Sequence, residues 1–288
     1  MGRTARSFKL SVVAAATVLA AACSSSGTVG AGGGKINLDT VTAADAVKKA
    51  SATQITKHTV RVHNDFANKK ITQAIDGVQS TERMALASTV VSQLTNPGAS
   101  PLHGEIRLDA PIVYLDSPGL PDEYRQGKQW IKLDLDHLPP KSSSDRALAF
   151  FAALGATYQS IDPKQGSLLP LAMPDLHRVG VETRQGRRVL HIQGSLTPQT
   201  VPAAPPPGSG LTQAYLDAQR TQMTQQALTK TTIDLWIGED GLPVEVKQTQ
   251  EGDPADGPTT SDITQSDWGT PLVVTPPPAD QTYIVPAQ

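Results

Sequence analysis

The chain has 288 residues with 25 Lys+Arg, 27 Asp+Glu and one Cys, a formal charge of −2. That balance offers no basic surface for a nucleic-acid partner, and a single thiol makes neither a disulfide nor a thiolate metal site. Aromatics are 4% while Gly and Pro each number 23, which points to strands broken by many turns, in a chain long enough for one large β-rich domain.

Arg3, Arg6 and Lys9 precede an apolar run that starts near Leu10, and no acid occurs before Asp39. A basic start, a short apolar segment and small residues before a cut describe a secretory signal peptide. The run is about a dozen residues, too short to span a bilayer core stably. It ends in Leu19-Ala20-Ala21-Ala22-Cys23, which resembles the bacterial lipobox, with Ala20 where the usual leucine stands and Leu19 one place earlier. That resemblance implies cleavage after residue 22 and acylation of Cys23, so the membrane partner is reached through acyl chains. Losing Arg3, Arg6 and Lys9 leaves 22 bases against 27 acids, a formal charge of −5. No second apolar segment is long enough to cross a membrane, and the expected location is the extracytoplasmic face of the cell membrane.

Ser24 to Gly34 (SSSGTVGAGGG) has nothing to pack and reads as a flexible tether, with a reach of roughly 20 Å. The expected division is residues 1–22 as signal peptide, 23–38 as tether and 39–288 as a single domain. Thr42-Ala43-Ala44-Asp45 has the look of a capping box, and Ala46, Val47, Ala50 and Gln54 continue it as a helix from about Ala43 to Gln54 with a small-residue face. At Thr59 the period drops to two, with Val60 and Val62 alternating with Arg61 and His63. A more polar run follows at Ile71–Val78, and Arg83–Thr95 fits strand or helix equally. Leu102–Tyr114 reads as extended chain interrupted at Pro111. Lys128–Asp136 is the clearest strand: Ile131, Leu133 and Leu135 face one way, Lys132, Asp134 and Asp136 the other, towards water. A helix with Leu148, Phe151, Leu154 and Tyr158 follows, ending by Pro163. Val179–Thr183 with Val189–Gln193, and Thr232–Gly238 with Val244–Thr249, read as hairpins, the second through Asp240-Gly241. Between them, Pro-rich 201–210 reads as an exposed loop before a Gln-rich helix at about Leu211–Leu228. Ile263–Val274 closes the fold, with Gln281–Gln288 trailing along the surface.

Chemistry is sparse. His58 and His63 are five apart, which on one strand puts them on opposite faces. His103, His137, His177 and His191 have no helical or carboxylate companion at ligand spacing. Asp134, Asp136 and His137 form the best local cluster, read as a surface group. No nucleophile elbow, phosphate loop or dinucleotide fingerprint occurs, so no metal, cofactor or enzymatic activity is expected. Arg187-Arg188 can touch an anionic headgroup or simply be solvated. Trp130, Trp236 and Trp268 can line a ligand site or pack.

The order of elements, with Gln129-Trp130-Ile131-Lys132-Leu133 after Leu120-Pro121, Val179-Gly180-Val181-Glu182-Thr183 with Gly186, and Ser266-Asp267-Trp268-Gly269-Thr270-Pro271 before Pro276-Pro277, resembles the actinobacterial lipoproteins of the LppX/LprG type, related in shape to the LolA/LolB carriers. The resemblance implies an α+β fold: a curved, unclosed antiparallel sheet (a half-barrel) with helices covering its concave face, and acyl chains of a lipid or glycolipid held between them. Ile131, Leu133, Leu135, Ile233, Leu235 and Ile237 are then the expected cavity lining, with a packed core as the alternative for the same residues. The competing function is an anchored sensor or protein-interaction module without lipid cargo, whose protein partner the residues do not name.

Overall fold

The structure is a computed structural model that describes residues 35–95, 100–140, 143–159, 162–254 and 257–287. The segment expected to be a signal peptide, Cys23 and residues 24–34 lie outside the described residues. The first helix, α1 (Ala43–Ile55), begins where Thr42 Oγ1 accepts from the Asp45 N–H at 3.1 Å and donates to the Asp45 carboxylate at 2.7 Å. That satisfies an otherwise unpaired first-turn donor. Strands β1 (Thr59–Ala67), β2 (Ile71–Ser80), β3 (Ala85–Leu94), β4 (Leu102–Asp109) and β5 (Ile112–Asp116) follow as a meander. The undecided 83–95 segment is thus a strand: its β-branched pair Val90–Val91 completes a ladder with β2. The short helix α2 (Asp122–Arg125) leads to β6 (Trp130–Asp134).

Next come α3 (Arg146–Gln159), α4 (Pro163–Gly166) and a 3₁₀ turn at Leu169–Ala172. A second meander holds β7 (His177–Arg184), β8 (Arg187–Leu196), β9 (Lys230–Gly238), β10 (Pro243–Glu251) and β11 (Thr259–Ser266), with α5 (Gln213–Gln225) between β8 and β9. Gln185 and Gly186 join β7 to β8 at φ 51° and 74°, the left-handed pair that a two-residue hairpin turn needs. β11 pairs with β1, so the two meanders form one twelve-stranded sheet, ordered β12-β6-β5-β4-β3-β2-β1-β11-β10-β9-β8-β7. Here β12 is Thr282–Ile284, parallel to β6, and β7 is the other edge, so the sheet is not closed. This is the α+β half-barrel expected, with its helices on one face.

Several expectations are corrected. Ile36 and Leu38, assigned to the tether, are buried in the core, and the Ile36 N–H donates to the Glu239 carbonyl at 2.6 Å. Two aliphatic side chains in an otherwise polar stretch find the sheet as soon as the glycines end. The 128–136 strand is shorter because the Asp136 N–H donates to Asp134 Oδ1 at 3.0 Å, turning the chain away from the ladder. Its second face is not all wet: Trp130 is buried there, with the Arg107 guanidinium 4.4 Å above its ring. The last run is β11, which begins at Thr259 and ends at Ser266, and the C-terminal tail is not loose surface chain. It adds an edge strand and buries Val285. The 201–210 loop is held at both ends by buried Val201 and Ser209.

Two aliphatic groups fill the space between sheet and helices. In the first, α1, α5 and the 3₁₀ turn cover β1 and β8–β11. In the second, α3 lays Phe151, Leu154 and Tyr158 over β4–β6.

Candidate functional site

Cross-strand pairing defines the covered face residue by residue. In an antiparallel ladder, residues directly opposite share a face. Val60, Val62, Asn64 and Phe66 of β1 stand on it; their partners on β2 are Gln79, Gly77, Ile75 and Gln73, and on β11 Gln265, Ile263 and Ser261. Continued outwards, the face carries Leu86, Ser88, Val90 and Ser92 of β3, Leu108 and Ile106 of β4, Val113 and Leu115 of β5, and Leu133 and Ile131 of β6. On the other side it carries Val246 and Gln248 of β10, then Ile233, Leu235 and Ile237 of β9. Through β1–β6 and β9–β11 the paired, described residues of this inner face include no Asp, Glu, Lys or Arg. The strands' charged side chains point out on the opposite face.

The six residues expected to line a cavity are all buried, on this one face but far apart along it. Ile131, Leu133 and Leu135 pack beneath α3, while Ile233, Leu235 and Ile237 pack beneath α1 and α5. A cavity of about 20 Å³ lies under α1, bounded by Val47, Ala50, Gln54, Ser167, Ile233 and Gln265 among others. That is room for one water.

The inner face also carries uncharged polar side chains among its aliphatic ones. Ser88 and Gln265 lie on one cross-strand row, Ser88–Gly77–Val62–Gln265, which continues past Ser88 to Ile106 of β4. A Cβ on Gly77 would lie 2.5 Å from the Ser88 Cβ, so only glycine fits the row there. Asn64 accepts from Ser261 Oγ at 2.8 Å, and Gln73 Nε2 donates to Ser92 Oγ at 2.9 Å. Gln73 Oε1, Ser88 Oγ and Gln265 Oε1 are buried with no partner. Nothing in the sequence reading singled these residues out. Gln73 lies in Ile71–Val78, a run noted only as more polar.

The opposite face carries the ionisable groups, and here the histidine reading is corrected. His191 does have carboxylate companions, brought by neighbouring strands: its Nε2 lies 2.8 Å from Asp234 and its Nδ1 3.4 Å from Glu182. Its ring stacks on Trp236 at 4.4 Å, with the Arg184 guanidinium also 4.4 Å from that indole. Burial, with Asp262 nearby, pushes the Glu245 carboxyl above the usual range. His63 lies 2.7 Å from Asp76 and 3.3 Å from Asp65, and the Asp76 bond raises its pKa. His58 is not on that strand but in a left-handed turn before it, paired with Glu82. His137 bonds Asp134 and lowers that carboxyl's pKa. Among the described residues no group of three His, Cys, Asp or Glu is placed to hold a metal ion. Arg187 pairs with Asp240, and Arg188 with Asp39 and Glu239, so these cations hold the N-terminal segment and a hairpin turn. No described helix is long and apolar enough to cross a membrane.

No protein-family model matches the chain. An uncharacterised 31.2 kDa protein encoded in the rplA–rplJ intergenic region of Streptomyces griseus is 28% identical over 156 residues, which are 54% of this chain and 48% of that protein. The chain thus spans about half the length of the curated relative it matches. Among solved structures, it is similar to the lipoprotein LppX of Mycobacterium tuberculosis, with a TM-score of 0.47 and 13% identity over 81% of this chain and 98% of that one. It is also similar to LprF of Mycobacterium bovis, with a TM-score of 0.40 and 14% identity over 82% of this chain and 96% of that one.

Proposed function

We propose that this chain is an extracytoplasmic lipoprotein, anchored through acylated Cys23, that binds or carries a lipid or glycolipid between its sheet and helices. The observation that supports this most is the inner face itself. On nine strands the paired residues of this face carry no charge, which suits acyl chains, and Leu94 and Leu102 leave its β3–β4 end exposed. Burial of acyl chains is favourable by about 0.8 kcal/mol per CH₂, so affinity needs few polar contacts. In this reading Ile131, Leu133, Leu135, Ile233, Leu235 and Ile237 contact the chains, and the helices yield to admit them. Organic extraction of non-acylated protein, followed by mass spectrometry, is expected to return a stoichiometric lipid; protein that is lipid-free and takes up none overturns the reading.

One observation favours the competing module without cargo: the cavity under α1 holds only one water. Leu133→Trp separates the two. In a carrier the added volume occupies acyl space, so bound lipid falls while the melting temperature holds. In a filled interior it overpacks by about 1–3 kcal/mol, with no lipid in either protein.

A further inference from the structure

Of the large apolar side chains exposed among the described residues, three share one end of one hairpin. Leu94 and Leu102, 43% and 38% exposed, stand on the inner face where neither aliphatic group reaches them, and Val91, 36% exposed, stands on the opposite face of β3. Leu94 pairs with Ile71 at the end of β2, Leu102 with Ser92, and Val91 with His103. β4 runs past its other neighbour, since its pairing with β5 stops at Glu105. The β3–β4 tip is therefore open on both faces. It is also uncharged: residues 84–104 hold no Asp, Glu, Lys or Arg, in a chain that is 18% charged. Docking on a protein partner needs one apolar face and leaves the other free to carry charge. A hairpin bare of charge on both sides suits a medium that surrounds it and in which a buried charge is costly.

We propose that the β3–β4 hairpin tip dips into the surface of a zwitterionic lipid bilayer, a second and non-covalent membrane contact beside the anchor. Leu94, Leu102 and Val91 then lie at the boundary of headgroups and acyl chains, about 5–10 Å deep. The neighbouring β1–β2 turn limits the depth. The Thr95 N–H donates to the Lys70 carbonyl at 3.0 Å and its hydroxyl to the Lys69 carbonyl at 2.6 Å, so two lysines stand beside the tip at headgroup level. Lys69 Nζ donates to the Pro254 carbonyl, close to Glu251 and Asp253. The collar is thus balanced in charge and gives no preference for anionic lipid. Three aliphatic side chains do not hold a chain at a membrane unaided, so the contact orients a domain that is already anchored. The anchor allows it: Ile36 is held by Glu239 at the far end of the strands, and β1, nine residues long, spans about 30 Å between the two ends. Residues 23–34 reach about 40 Å when extended, so the tip meets the bilayer that holds its own Cys23. The inference rests on the anchored reading for that reach and is independent of lipid cargo.

The test uses the full chain carrying Cys23→Ser and phosphatidylcholine vesicles at millimolar lipid. A single cysteine is placed at the tip (Gln93→Cys) or at the far end (Lys35→Cys) and labelled with a polarity-sensitive dye. The dye at position 93 should brighten with vesicles and the dye at 35 should not. Leu94→Asp with Leu102→Asp should lower the affinity at least ten-fold without lowering the melting temperature, because both side chains are exposed. Val91→Asp, on the other face, should weaken it too, and carries the test if the double variant fails to fold. Val273→Asp, which changes a valine 73% exposed outside the hairpin, should not. Replacing part of the lipid by phosphatidylglycerol should not tighten binding. No response at position 93, an equal response at 35, a loss in the leucine variant without one in Val91→Asp, an equal loss in Val273→Asp, or binding only to phosphatidylglycerol overturns the proposal. So does a leucine-dependent dimer without vesicles, which would make the occupant a second copy. Each of these leaves the acyl-binding reading to be decided by extraction, and a lipid-free chain that still docks overturns that reading alone.

Discussion

At the scale of single residues, the informative positions are those whose neighbours arrive from distant strands. His63 illustrates this: Asp65 is two residues away, but the stronger partner, Asp76, comes from the next strand. Its folded pKa is raised, first by the Asp76 bond. Stability from this pair is therefore fully present below the unfolded value of about 6.5 and is lost as pH rises through the folded value. Melting temperatures of wild type and His63→Gln should differ most below pH 6.5 and converge above the folded pKa; a difference independent of pH would remove the ion pair as its cause. Phe151, fully buried on the sheet side of α3 against Tyr124, Phe150 and Tyr283, is the anchor of the second aliphatic group. Phe151→Ala is expected to cost about 3–5 kcal/mol, read as a clear loss in chemical denaturation.

At the scale of elements, α1 is the piece to watch. Its buried face is Ala43, Ala46, Val47 and Ala50, so it lies close to the sheet with little interdigitation. Its far end is tied by polar contacts: Ser167 Oγ to Ser51 Oγ at 3.0 Å, and Thr81 Oγ1 to the Gln54 carbonyl at 3.1 Å. If lipid enters beneath α1, tethering it to the 163–173 segment should block uptake. Ser51→Cys with Ser167→Cys, in a chain whose own Cys23 is Ser, should form a disulfide at this spacing. Uptake should fall on oxidation and return on reduction; unchanged uptake would exclude α1 as the moving part. The cap is a second handle. Thr42→Ala should cost about 1 kcal/mol, lowering the melting temperature by about 2–4 °C in a domain of this size. Both α1 and its cap were legible in the sequence because capping and small-residue periodicity are local. The partners of α1 were not, because nothing local says which strands a helix covers.

For the whole molecule, the first expectation concerns location. Cys23→Ala should release the protein to the medium or leave the signal uncleaved, since one acylated cysteine is the proposed source of membrane affinity; processed protein still held at the membrane would contradict it. The second concerns metals: protein purified without a tag should carry no stoichiometric zinc by elemental analysis, whereas one zinc per chain would redirect attention to Asp134, Asp136 and His137. The sequence alone determined what is encoded over short distances. The Thr42 cap, the alternation in β1 and β6, the Asp240-Gly241 turn and the break at Pro111 are set by dihedral preference and side-chain period, and each was read correctly. Tertiary structure decided the rest. Which strands become neighbours, that β12 forms an edge beside β6, that Ile36 and Leu38 belong to the core, and that Asp234 meets His191 all depend on pairings between residues far apart in the chain. So does the uncharged inner face: each strand carries only an alternation, and it takes the register of the whole sheet to put the uncharged positions of nine strands on one side.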